Sequence, residues 1–225
     1  MLQIIKDEWI DSNGYMTLNR EAVDGLGAGN LLLHTGLYYT ALARAKLLTP
    51  ELCNSYTKTI RLSEVKPHRG LYWRSIYKAD GNQSQQHDDY IGISAGSYFC
   101  NKEIAQDIMR YGEATGFIYD SKRPLSNDVT YWHDRFLGLI DFYRLCSGKR
   151  ISIWSAIPLA ARALALSFTK QGDSAIFSYL FFSVGLDAMP LVFWPFYFFS
   201  PLRKLQGSMF APYLGEGHPL TQISI

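Results

Sequence analysis

The chain has little of what usually announces a function. Its 225 residues include only three cysteines, Cys53, Cys100 and Cys146, widely spaced and odd in number. With no C-x-x-C pair, a zinc knuckle, a thioredoxin-like site and a disulfide framework all lack support, and free thiols in a reducing compartment are the simplest expectation. Net charge is only +2 and no arginine-rich run occurs, so there is no electrostatic footprint for a nucleic acid. Met1 to Trp9 shows no basic stretch leading into an apolar one, so no secretory signal is read there. Synthesis in the cytoplasm is expected, with any role outside it following lysis or assembly into a larger particle. A phosphate loop, G-x-S-x-G, H-E-x-x-H and a dinucleotide fingerprint are also missing, and Gly25-Leu26-Gly27-Ala28-Gly29 follows no strand and precedes no Lys-Ser/Thr.

What the chain does have is apolar mass. Hydrophobic residues make up 48% and aromatic residues 15%, which excludes disorder and supplies a sizeable core. Residues 1–28 read as an irregular N-terminal segment with a turn at Asp11-Ser12-Asn13-Gly14, and residues 29–225 as one helical domain whose apolar C-terminal half begins at about 151. Helical spacing runs from Asn30 to Leu48, with Leu31, His34, Tyr38, Ala41 and Ala45 on one face. Thr49-Pro50-Glu51 starts a short helix. Further helices are expected from Asn101 to Gly112, from Tyr131 to Cys146 and from Ile151 to Phe168. Between Tyr56 and Gln86 lies a long aperiodic stretch carrying Arg69, Tyr72, Trp73 and Arg74, an interleaving that suits a polar ligand with flat faces, such as a sugar. The fold class expected is all-α, a single helical domain.

Ala175 to Ser200 carries a single charge, Asp187, and reaches the length of a membrane span. Asp187 near its middle costs about 3 kcal/mol on insertion scales. Met189-Pro190 and Trp194-Pro195 interrupt it further, so two short buried helices, roughly 174–187 and 190–200, are expected, with a membrane span as the alternative.

The chain is organised around His87-Asp88-Asp89-Tyr90-Ile91-Gly92-Ile93-Ser94-Ala95-Gly96. An aspartate at this start can accept hydrogen bonds from the first helical turn and suits the helix dipole. Asp88, Gly92 and Gly96 are spaced by four and share a face. Two interior glycines cost roughly 1 kcal/mol each, which a helix tolerates where another backbone must come close. The candidate catalytic groups are therefore Asp88, Asp89 and His87, facing a cavity. Candidate substrate-binding residues are His34, Tyr38, Arg69, Tyr72, Trp73, Arg74 and Asp134, joined by Glu216 and His218 from the glycine-flanked tail. Paired carboxylates permit general acid–base work, most often on glycosidic bonds. A metal site of His87, Asp89 and His218 has no supporting ligand spacing, and neither metal nor cofactor is expected.

Three segments carry a resemblance: Gly70-Leu71-Tyr72-Trp73-Arg74, His87 to Ala95, and Tyr213-Leu214-Gly215-Glu216-Gly217-His218-Pro219. Together they resemble poorly characterised bacteriophage-associated proteins. The D-D-Y-x-G helix start is similar to that of α/α-toroid glycosidases and polysaccharide lyases. The resemblance implies a reduced or open toroid, since a complete one needs a longer chain; otherwise the fold is an irregular helical bundle with long loops. The reading is a phage-derived protein that binds or hydrolyses carbohydrate, as a glycoside hydrolase or polysaccharide lyase if it is an enzyme. The alternatives are a non-enzymatic virion structural or assembly protein, and a small membrane protein with a span near 175–200. Expected partners are a polysaccharide or other virion proteins, with possible oligomer formation and no nucleic acid.

Overall fold

Thr49 shows how locally the helices are encoded. Its side chain accepts from the Leu52 N–H at 3.3 Å, and Pro50, which has no N–H to leave unpaired, opens the helix. Asn101 and Ser152 cap two more helices in the same way, accepting from Glu103 N–H and Ser155 N–H at 3.1 Å each. Gly116 closes the first of these in the left-handed conformation that glycine adopts without a Cβ clash. The computed structural model describes residues 9–17, 31–73, 87–117, 138–168 and 172–202. Among the described residues the regular elements are all helices: α1 (Leu31–Arg44), α2 (Pro50–Leu62), α3 (His87–Cys100), α4 (Lys102–Thr115), α5 (Leu139–Cys146), α6 (Ile153–Ser167), α7 (Gly172–Ala188) and α8 (Pro190–Phe199). The protein is all-α.

Helices α1, α3, α5 and α7 are buried along most of their length and pack on one another. Helices α2, α4, α6 and α8 lie outside them and bury a single face. Specific contacts fix the directions. Leu33 meets Asp89 and Gly36 meets Gly92, so α1 and α3 run parallel. The Tyr98 hydroxyl donates to Asp187 at 2.7 Å, so α7 ends beside the end of α3. Cys53 is bonded to Cys100, while the Tyr56 hydroxyl donates to Ile93 O at 2.6 Å, so α2 runs antiparallel to α3. The two buried helices α1 and α3 thus share a direction, and α2 returns against them.

The α1–α3 contact is made by backbone. A Cβ on Gly92 would strike the Leu33 backbone, and one on Gly36 would strike the Gly92 carbonyl. Gly96 faces the Tyr56 ring, whose hydroxyl would lie 2.7 Å from an added Cβ. The glycine spacing in α3 therefore serves the close approach expected of it.

Several expectations need correction. The stretch from Tyr56 is helical up to Leu62, because Tyr56, Thr59 and Ile60 place a buried face at helical spacing that the polar residues between them obscure. Helix α4 continues past Gly112 to Thr115. Helix α7 begins at Gly172, two residues ahead of the expected start near 174. Cys53 and Cys100 form a disulfide, with Cα atoms 4.7 Å apart, and leave Cys146 as the buried free thiol among three that were expected to be free. The pairing follows from the antiparallel packing of α2 on α3, which spacing in sequence does not reveal. The apolar run at 175–200 breaks at Met189 into helices of 17 and 10 residues, and among the described residues no helix is long and apolar enough to cross a membrane. Of α8, only Phe193 and Tyr197 are buried. Its other side is not buried as expected, because among the described residues α8 packs chiefly against α6 and α7 on one face. Asn30, where helical spacing was expected to begin, and residues 131–137 of the expected helix before Cys146 lie outside the described residues.

Two measurements test this packing. Gly92→Ala forces two backbones apart, so despite alanine's better helix propensity it is expected to lower the unfolding free energy by about 2–3 kcal/mol in urea titration. Reduction opens a cross-link spanning 47 residues. The chain-entropy relation puts its contribution at roughly 4 kcal/mol, so reductant should lower the melting temperature markedly while Cys146→Ser leaves that response intact.

Candidate functional site

The two carboxylates that open α3 have different surroundings. Asp89 is buried, and its Oδ1 accepts from the backbone N–H of Leu33 at 3.4 Å. Leu33 is in the first turn of α1, where N–H groups have no partner within their own helix. Asp89 is thus an acceptor fixed at the N-terminus of a neighbouring parallel helix, where a negative charge also meets the positive end of the dipole. Asp88 is half-buried and lies about 100° further round α3, as the helical repeat dictates, so the two carboxylates do not share a face. His34 and Tyr38 lie inside the core on α1, and burial, assisted by Tyr39, pushes the Tyr38 phenol up to about 12. Tyr72 is also buried, and its phenol is raised chiefly by that burial. Its backbone N–H donates to the Tyr90 hydroxyl at 3.0 Å, which docks the 63–73 loop beside the first turn of α3. Of the substrate-binding candidates described, Arg69 reaches solvent fully and Trp73 in part. The side chain of His87, together with Arg74, Asp134, Glu216 and His218, lies outside the described residues.

The structure instead gathers polar groups on the outer side of that loop. Asp107, on the inward face of α4, is 1% exposed, yet three guanidiniums converge on it. Arg61 donates to its Oδ2 at 2.6 Å, Arg110 holds its Oδ1, and Arg69 Nε stands 3.9 Å away. Arg61 also donates to Glu64 Oε1 at 2.6 Å and to the Tyr72 hydroxyl at 3.3 Å. Glu64 in turn accepts from the Gly70 N–H at 3.3 Å, and its backbone bridges to Tyr72. Burial works against the Arg61 charge, but Tyr72, Asp107 and Glu64 outweigh it and raise its pKa above the ordinary value. Arg69 reaches Glu103 at 3.6 Å.

Arg69, Asp107 and Arg110 of this network line a groove of about 470 Å³ together with Pro67, His68 and Tyr111. The rings of His68 and Tyr111 stand edge to face, with centroids 6.2 Å apart. The Arg69 and Arg110 side chains are 61% and 66% exposed, so their remaining N–H donors are open to the groove. The sequence does carry a signal for it. Asp107 falls among Ile104, Ile108 and Met109 on the apolar face of α4, where a charge needs partners, and Arg110 follows at i+3. Which distant arginines complete the cluster depends on how α2 and the loop pack against α4. Among the described residues no group of histidine, cysteine and acidic side chains is arranged to hold a metal ion.

The cluster separates a buried ion pair from an exposed one. Asp107→Asn leaves the partly buried Arg61 guanidinium without its carboxylate and is expected to cost about 3 kcal/mol of stability. Arg110→Ala removes a mostly exposed partner and should cost no more than about 1 kcal/mol. Chemical denaturation of both variants checks the order. Compared with known proteins, the chain matches no protein-family model, no curated sequence and no solved structure.

Proposed function

We propose that this protein binds a saccharide in the groove between Arg69 and Arg110 and does not cleave it there. The observation that carries the reading is the pair of exposed guanidiniums held over the buried Asp107, with His68 and Tyr111 as the ring walls. Arg61, Arg69 and Arg110 are balanced by Glu64, Glu103 and Asp107. A balanced groove has no net field to concentrate a polyanion. It offers donors, acceptors and flat apolar faces together, which is what a polyhydroxylated ring requires. Both Asp107 oxygens are engaged by guanidinium donors, so neither reaches a ligand as a general acid or base. A host surface polysaccharide is the ligand class implied by the phage resemblance. The parallel pair α1 and α3, with α2 returning against α3, is compatible with an open, reduced version of the α/α-toroid arrangement.

Calorimetric titration with a panel of neutral oligosaccharides tests the proposal. The wild type is expected to bind at least one of them, and Arg110→Ala to weaken that binding by about tenfold or more through lost charge-assisted hydrogen bonds. Tyr111→Ala should weaken it as well. No binding across the panel, or equal binding by both variants, overturns the reading. Release of new reducing ends would overturn the non-catalytic part alone.

A further inference from the structure

Helices α6 and α8 carry an outer surface that a solvent-facing pair of helices does not normally have. The exposed large hydrophobic residues on and immediately after them are Ile153, Trp154, Ile157 and Phe168, and Leu191, Trp194, Phe198 and Phe199. Elsewhere among the described residues, only Leu47 and Leu62 are comparable, so this exposure is concentrated on one face. Leu191, Trp194 and Phe198 recur at i, i+3 and i+7, forming a single stripe along α8. Trp154 is 83% exposed and Leu191 93%. The two helices contain one charge between them, Arg162, and they pack against each other, so their outer sides form one surface. Contiguous apolar surface of this kind marks an interaction site.

Cations border this surface where both helices begin. A cavity of about 370 Å³ is lined by Tyr98, Lys102, Lys149 and Arg150 together with Ile151 and Met189. Ile151 and Met189 lie just ahead of α6 and α8, which places the cavity beside Ile153, Trp154 and Leu191. Lys102 sits 4.5 Å from the Tyr98 ring centroid, Lys149 pairs with Glu113 at 2.7 Å, and Tyr98 donates to Asp187. The wider sequence has the same bias. From Lys149 to Lys204 there are six lysines and arginines against two aspartates, a surplus of four. The remainder of the chain must therefore carry an excess of two negative charges to give the overall +2.

The geometry points to an anionic lipid bilayer as the occupant: α6 and α8 lie in its interface, and the Lys102–Lys149–Arg150 cavity receives a phosphate-bearing headgroup. Helices of 15 and 10 residues are too short to span a hydrocarbon core but suit an interfacial position, where tryptophan is favoured. The charge decides between a bilayer and a second copy of the chain. Two copies meeting through this face bring like surpluses together, whereas an anionic surface attracts each one.

The test is co-sedimentation of the full chain with phosphatidylcholine vesicles, with and without phosphatidylglycerol, alongside sedimentation velocity of the chain alone. The wild type is expected to bind the phosphatidylglycerol vesicles, less so in high salt, with a blue shift of tryptophan emission. Trp154→Glu combined with Leu191→Glu should weaken binding on the order of a hundredfold. Lys149→Glu combined with Arg150→Glu should weaken it about tenfold or more and remove the preference for the anionic lipid. All four residues are exposed, Lys149 in an exposed pair with Glu113, and circular dichroism checks that the variants remain folded. A wild type that stays in the supernatant with both vesicle types overturns the proposal. Concentration-dependent self-association abolished by Trp154→Glu, with no vesicle binding, also overturns it and assigns the face to a second copy. A lipid preference unchanged by the charge reversal overturns the headgroup site.

Discussion

Contact between the backbones of α1 and α3 at Gly36 and Gly92 is the constraint on which the rest of the arrangement depends. Each glycine forgoes roughly 1 kcal/mol of helix propensity relative to alanine. In return, two parallel helices come close enough for many weak dispersion contacts along their length. The same proximity brings the Asp89 carboxylate to the Leu33 N–H, so a buried charge meets donors that α1 cannot satisfy internally. One turn further along the same side of α3, Gly96 admits the Tyr56 ring, and the Tyr56 hydroxyl donates to Ile93 O. The glycine side of α3 thus receives a backbone in one turn and an aromatic ring in the next.

From this core the outer helices inherit their positions. Helix α2 is held by Tyr56 and by the disulfide, and its end delivers Arg61 to Asp107 on α4. The loop after α2 is pinned by Tyr72 on Tyr90. Arg69 therefore reaches the groove because two anchors, one at each end of its loop, leave the intervening residues little freedom. The saccharide reading rests on that placement. The acidic pair that opens α3 contributes to it indirectly, by fixing α1 through Asp89.

How much of this was legible in the sequence follows from the range of each interaction. Caps and glycine stops act within a few residues, so the starts of α2, α3 and α4 can be read directly from Thr49, from Asp88-Asp89 and from Asn101. The Gly92–Gly96 spacing also announced a close neighbour, though not that Gly36 would be it. Asp89 illustrates the limit. An aspartate at a helix start reads as the cap of its own helix, and only the parallel packing of α1 turns it towards Leu33. The Cys53–Cys100 bond and the three-arginine cluster have the same character, since each joins residues more than a helix apart. Periodicity was equally silent about α8. An apolar helix reads as buried, and whether another layer covers it is a property of the assembled fold.

The two proposed surfaces meet opposite ends of α3. The loop that carries Arg69 docks beside Tyr90 in its first turn, whereas Tyr98 and Lys102, which line the cationic cavity, lie at its end and just beyond. Both surfaces also reach α4, where Glu103, the partner of Arg69, follows Lys102 directly, and Glu113, the partner of Lys149, lies two residues beyond Tyr111. The charge pattern divides in the same sense. The groove by the loop is balanced and suits a neutral polar ligand, while the cavity by α6 and α8 belongs to the basic part of the chain. The two readings are therefore separable by ligand: charge reversal at Lys149 and Arg150 is read by the preference for anionic lipid, and loss of Tyr111 by the affinity for saccharide.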